Sequence, residues 1–470
     1  MAAEQSLPVA SPPATRATRL AVRSTLLGVL LLVAVAAAAR AVYTAFAYGV
    51  PAWFDEELNP LVNLLVNGQR IEQIDPRQYG VVMFLVFDPA VRVLGANQSA
   101  LALYAACVSL AAAIVAFAIT AKRYAADDPV RLLVLAIAWC SAVPLLYVIA
   151  QHMVDAWQLL FLSAALFLYT GTARQQRWTG VPLALATLTK LLPALLLVYL
   201  FVRSWRLGLV GAAAIVILLS IGQALYGSLM GLGYPLAMLS MGGDTVARWS
   251  MHFENNSIRG LLFKLVAGFQ LQGDTTAYVL DPRWVPWLSA LAYALSASLL
   301  GYLGWAAWRG RGDGSPHRRS IEFSLAIVTM LLISPHTAQD YLVTALPVLA
   351  VWLWLHARKL PQPWSSSQTL LGAVAAFLIG VFVPMNVVAR FAPFHGLIAL
   401  THNADNGLFV DQIGSAIGAY DFFGFPGLGL LIAWLLLVSL ERQSAAARER
   451  NATTPRMAPA RISATAAAHE

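Results

Sequence analysis

Apolar runs of membrane-spanning length constrain this sequence more than any single motif does. Runs near 24–47, 99–121, 179–202, 207–228 and 285–308 reach about 20 residues, enough to cross a hydrocarbon core about 30 Å thick. Only 11% of the 470 residues are charged and 59% are hydrophobic, whereas a soluble domain carries roughly 25% charged residues. The chain is read as an all-α polytopic integral membrane protein. It should have about 10–12 membrane helices, with re-entrant or interfacial segments.

The net charge of +8 does not call for nucleic acid. Lys and Arg gather in short clusters between the apolar runs, as cytoplasmic loops require. Cys107 and Cys140 both lie inside apolar runs, which argues against a disulfide framework or a zinc site. The first run is longer than a signal-peptide core and lacks a clear cleavage site, so it is read as an uncleaved signal-anchor.

Counting by length and orienting by basic residues gives a topology. Residues 1–23 form a disordered cytoplasmic N-terminus. Spans follow at 24–47, 99–121, 131–150, 153–173, 207–228, 285–308, 321–335, 341–357, 367–388 and 425–440, and 441–470 is a disordered cytoplasmic tail. Outer loops are expected at about 48–98, 229–284 and 390–424. The apolar stretch 80–95 contains Asp88-Pro89 and is read as interfacial or re-entrant. The run 179–202 has basic residues at both flanks and Lys190 through Pro193 inside it. Two half-helices folded into a hairpin satisfy both flanks; one straight span does not. Broken backbone at that depth belongs inside protein or beside a wet cavity.

On this topology the chain's polar candidates converge on the outer face. Trp53-Phe54-Asp55-Glu56-Glu57 sets three carboxylates at a membrane–water boundary. They form either a solvated loop or a base that takes a proton from an incoming hydroxyl, Asp55 first and Glu56 as a spare. Lys190 is an ammonium within an apolar run, costly and functional by default, and able to neutralise a lipid phosphate. His252, Glu254, Asn255, Asn256 and Arg259 mix hydrogen-bonding side chains suited to sugar hydroxyls with a guanidinium suited to phosphate. His336, Asp340 and Tyr341 follow Pro335. His336 can bind phosphate, shuttle a proton or cap a helix. Gln151 and Asp155 occupy a tight outer turn, where polar residues are needed in any case. No metal-ligand set and no phosphate-binding glycine loop stands out, so neither metal, cofactor nor soluble nucleotide donor is expected.

The order of these motifs resembles glycosyltransferase family 87, integral-membrane enzymes of the GT-C type. The best-known member is a mycobacterial polyprenol-phosphate-mannose-dependent mannosyltransferase. The matching pieces are Asp55, Gln78-Tyr79-Gly80-Val81 through Asp88-Pro89, Gln151, Leu188 through Pro193, Arg203 to Arg206, Glu254 to Ser257 with Arg259, and Ser334 to Tyr341. Gly80-Val81 stands where the family tends to have a proline pair. The resemblance implies a hexose, mannose in that member, donated by a polyprenyl phosphate to a lipid or glycan acceptor. It implies an inner (plasma) membrane enzyme with its site facing outside and both termini cytoplasmic. Asp55 would be the base of an inverting single displacement, and Lys190, Arg259 or His336 would hold the donor phosphate. Gln151, Asp155, His252, Glu254, Asn255, Asn256, Asp340 and Tyr341 would line the substrate. The rival class is a transporter or flippase of a lipid-linked sugar, against which the lack of internal repeats argues. A glycan ligase or polymerase shares the outer polar loops but uses an oligosaccharide donor.

Overall fold

The computed structural model describes residues 16–47, 59–68, 80–227, 230, 231, 233, 255–266, 268–272, 275–279, 283–380 and 424–453. Its helices are α1 (Arg16–Ala47), α2 (Asn59–Leu65), α3 (Val81–Leu94), α4 (Gln98–Tyr124), α5 (Pro129–Ser141), α6 (Val143–Ala150), α7 (Asp155–Tyr169), α8 (Ala173–Gln176), α9 (Gly180–Thr189), α10 (Ala194–Arg203), α11 (Trp205–Tyr226) and α12 (Ile258–Val266). After a short hairpin of β1 (Gly268–Gln272) and β2 (Thr275–Val279) come α13 (Trp284–Arg309), α14 (Pro316–Ile333), α15 (Gln339–Leu342), α16 (Leu346–Arg358), α17 (Ser366–Leu378) and α18 (Phe425–Thr453). The hairpin is antiparallel, with Gly268 opposite Val279. It falls within the expected outer region 229–284, where Thr275, Thr276, Tyr278 and Val279 favour extended backbone.

The chain is an all-α polytopic membrane protein. Among the described residues six helices are long and apolar enough to cross a membrane, and seven if the bent pair α5–α6 counts as one. Other expected crossings are built from shorter apolar pieces, namely α7, α10 and α17. Aromatics on α13 mark both boundaries. Trp287 and Trp305 are exposed and lie 18 positions apart, about 27 Å at helical rise, close to a hydrocarbon thickness.

Local chemistry sets the breaks. Asp128 caps α5 by accepting from the backbone N–H groups of Val130 (2.9 Å) and Arg131 (3.2 Å), with Pro129 in the first turn. Ala142 is extended and Pro144 follows, so α5 and α6 meet at 51°. The freed N–H of Val143 donates to the Gly380 carbonyl at 3.0 Å. The Pro193 ring cannot continue a helix and stands at the N-cap of α10.

The expected half-helix hairpin is present as α9 and α10. A Cβ on Gly180 would lie 2.4 Å from the Gly211 nitrogen, so α9 and α11 touch backbone to backbone. Leu197 of α10 reaches Gly211 and Phe201 covers Gly208. Gly80, at the start of α3, meets Leu188 at the far end of α9, while Val81 meets Gly222 of α11. Thus α9 runs parallel to α11 and α10 runs back, placing Thr179 and Arg203 at one end.

That end also gathers most of the basic residues and a buried ionic network. Glu322, fully buried, accepts from Arg203 Nε (2.8 Å), Arg318 Nε (2.7 Å) and the Tyr199 hydroxyl (3.2 Å). Arg318 Nη2 donates to Glu441 at 3.2 Å, and Tyr302 donates to the same carboxylate at 3.0 Å. Four helices, α10, α13, α14 and α18, are pinned together by these bonds. The network also corrects the expected disordered tail from 441. Helix α18 continues to Thr453 because Glu441 is anchored there and Glu449 pairs with Arg309. At the other terminus α1 starts at Arg16, eight residues ahead of the expected span.

Candidate functional site

The break between α9 and α10 carries the most concentrated chemistry in the described residues. Lys190 sits at the C-cap of α9 with extended backbone. Its Nζ donates to both oxygens of Asp155, at 3.0 and 2.7 Å, and to Asp340 Oδ2 at 3.0 Å. The Tyr341 ring lies 4.5 Å from Nζ. The three charged side chains are 8% (Lys190), 0% (Asp155) and 12% (Asp340) exposed. An ammonium this deep is costly alone, and the carboxylates of α7 and α15 supply the counter-charge. Gln158, one turn after Asp155, donates from Nε2 to the Lys190 carbonyl at 3.3 Å.

Depth follows from helix length. Trp178, 60% exposed, marks the boundary just before α9. The ten residues of α9 rise about 15 Å, half of a hydrocarbon core. The group therefore lies about 15 Å along the hairpin from Trp178, at the far end of α9 from the basic residues. Asp155 is correspondingly not part of a solvated turn: it opens α7 as a buried ion partner.

Beside this group the segments 255–257 and 334–341 are clamped together. Asn255 donates from Nδ2 to the Pro335 carbonyl (2.9 Å), and its Oδ1 accepts from the backbone N–H groups of Thr337 (3.1 Å) and Ser257 (3.0 Å). The Asn256 N–H donates to the Thr337 carbonyl at 2.7 Å. Asn255 thus spends its amide on backbone, and the clamp fixes the turn that delivers Asp340 and Tyr341. His336, half-buried, sets its ring edge-on to Tyr341 at 6.3 Å.

The remaining candidates are dispersed or lie elsewhere. Arg259 faces α13, donating to Ser289 Oγ at 3.2 Å and the Tyr293 hydroxyl at 3.4 Å, over the Phe263 and Tyr293 rings. Gln151 is the half-buried C-cap of α6 and bonds within its own turn. Its neighbour His152 adopts left-handed backbone (φ 59°) and ties the turn to the Ala45 carbonyl of α1 at 2.7 Å. Asp55, Glu56, His252 and Glu254 lie outside the described residues. The structure thus joins Lys190, Asp155, Asp340 and Tyr341 directly, with Asn255, Asn256 and His336 alongside. Sequence reasoning missed Gln158, which reads as an ordinary polar residue on a helix, and it named Gly80 only as part of a motif, without the bond from its N–H to the Thr189 carbonyl at 3.1 Å.

The family model for glycosyltransferase family 87 matches residues 78–335, more than half of the chain and the whole of the hairpin and its surroundings. The chain belongs to glycosyltransferase family 87. Among solved structures, the crystal structure of ArnT from Cupriavidus metallidurans in the apo state aligns with this family 87 chain at 15% identity and a TM-score of 0.44, covering 89% of this chain and 78% of that one. No curated protein sequence is significantly similar to it. The family assignment spans Gln151, Asp155, Lys190, Asn255, Asn256 and Arg259, while Asp340 and Tyr341 lie just beyond its last matched residue.

Proposed function

We propose that this protein transfers a hexose, mannose by family resemblance, from a polyprenyl-phosphate donor to a lipid or glycan acceptor on the outer face of the plasma membrane. Membership of a glycosyltransferase family over residues 78–335 is the observation that carries this reading. A buried group of one ammonium and two carboxylates at the break of a membrane hairpin supports it, since intramembrane ionisable residues mark functional sites. So does the gathering of basic residues at the opposite end, which favours a cytoplasmic position for that end by the positive-inside rule.

In this mechanism the acceptor hydroxyl oxygen attacks the anomeric carbon as the bond from that carbon to the phosphate oxygen breaks. The hydroxyl proton passes to Asp55, and polyprenyl phosphate leaves with the bonding pair. One displacement inverts the anomeric centre. Arg259, the fixed charge against α13, and His336, as an N–H donor, are the groups proposed to meet the donor phosphate and stabilise its growing charge.

Replacing Asp55 with Asn and assaying transfer from a radiolabelled polyprenyl-phosphate hexose in membranes tests the assignment. Loss of a general base lowers turnover by about 10²–10⁴-fold. Near-normal turnover rejects Asp55 as the base. Movement of labelled donor between leaflets with no new glycosidic bond, in the wild type, favours a flippase instead.

A further inference from the structure

Lys190 has the profile of a phosphate clamp in sequence, but its surroundings do not suit an anion. An ammonium has three N–H groups, and three carboxylate contacts, at 2.7, 3.0 and 3.0 Å, meet them. Tyr341 covers a further face at 4.5 Å. Among the described residues two carboxylates stand against this one ammonium, an excess of acid over base. A phosphodiester approaching it meets repulsion in a low-dielectric setting, where charges act most strongly.

Hydroxyl groups meet the opposite situation. Asp340 keeps more surface than Lys190 or Asp155, and only its Oδ2 is bonded to Lys190, so Oδ1 is left as an acceptor. Close by, Gln158 is fully buried, with Nε2 held by the Lys190 carbonyl and Oε1 lacking any hydrogen-bond partner. Gln158 Oε1 without a donor and Asp340 Oδ1 not used by Lys190 make this break suited to a ligand rich in O–H groups.

We infer that Asp340 is the group that contacts the sugar of the donor, accepting its hydroxyls, and that Lys190 and Asp155 are positioning residues rather than ligands of the phosphate. The inference rests on the proposed donor class and divides it in two: sugar toward the triad, phosphate away from it. Asp155 fixes Lys190 from α7, Lys190 fixes Asp340, and the Asn255 clamp fixes the turn that carries Asp340.

The test compares two lipids on the full-length protein in nanodiscs: tritiated polyprenyl phosphate and tritiated polyprenyl-phosphate mannose. Asp340→Asn keeps Lys190 paired one-to-one with Asp155, so folding is retained, as thermal unfolding would report. The variant is expected to lose affinity for the sugar-bearing lipid by about tenfold or more, the size of one hydrogen bond to a charged group. Affinity for the sugar-free lipid stays within a factor of about two, well under the effect of one such bond. Lys190→Met shows the same selective loss, and Asp340→Glu a smaller one. Equal losses on both lipids, or a selective loss of the sugar-free lipid, would make Lys190 a phosphate ligand and overturn the inference. No loss on either lipid overturns it as well. A wild type that binds both lipids yet makes no glycosidic bond refutes the proposed reaction while leaving this comparison readable.

Discussion

Gly80→Ala is the smallest change that should disturb the site from outside it. A Cβ at this position would stand 2.0 Å from the Leu188 carbonyl oxygen and 2.6 Å from its carbon. Real Cβ contacts essentially never fall below 3.0 Å, so the α3 start and the end of α9 must part by about 1 Å, and backbone cannot swing aside as a flexible side chain does. The hydrogen bond from the Gly80 N–H to Thr189, 3.1 Å in the native protein, stretches to about 4 Å and is lost, at ~1 kcal/mol. Overpacking adds ~1–3 kcal/mol, giving a total of ~2–4 kcal/mol. The displaced residues are Leu188 and Thr189, immediately before Lys190. A shift of ~1 Å in a positioned group can cost about 100-fold in rate, so turnover should fall more steeply than stability. Thermal unfolding in detergent alongside the sugar-transfer assay separates the two. Gly301→Ala, in the interior of α13 where a Cβ meets nothing within 4 Å, is the control: it should leave turnover unchanged and hold or slightly raise stability. A Gly80→Ala protein with native stability and native turnover would refute the claim that this contact sets the hairpin break.

Two further outcomes follow from groups at the basic end. Glu322→Gln leaves Arg203 and Arg318 buried with less counter-charge and should cost ~3–5 kcal/mol. Pairing it with Arg203→Met should recover much of that loss, read as the unfolding midpoint in detergent. Asp128, outside the spans, has its carboxyl held below its ordinary value of 3.8 by the backbone N–H of Arg131, opposed by desolvation, with further help from the Val130 N–H and the Arg131 charge. Its contribution is therefore complete above that ordinary value and lost as pH falls through the lower folded one. Asp128→Ala should lower the midpoint at pH 7 and narrow its gap from the wild type as the pH drops below 3.8. A gap that widens on acidification would contradict the sign.

Much of this architecture is legible in sequence because a bilayer leaves few options. Two basic flanks around 179–202 force a hairpin, and the antiparallel packing of α9 and α10 on α11 is the outcome. A lysine among leucines announces Lys190. What sequence does not announce is its partners. Asp155 and Asp340 stand 35 and 150 positions away, each in a polar turn where an acid needs no explanation. Reading those acids as turn residues or substrate ligands missed that a buried ammonium must find carboxylates somewhere. The same rule points to Glu322, an acid within an apolar run, which went unread. Gly80 carries no signal as a lone glycine. Its reason is a backbone contact visible only once α3 and α9 are placed.

The paired charges among α10, α13, α14 and α18 have a mechanical corollary. Prising those helices apart would strand Glu441 away from Arg318 and part Glu322 from Arg203, leaving it only Arg318 of its own helix, at several kcal/mol in all. A bundle riveted at its base resists opening there, which leaves any rearrangement of these helices to the end that carries Lys190 and Asp340.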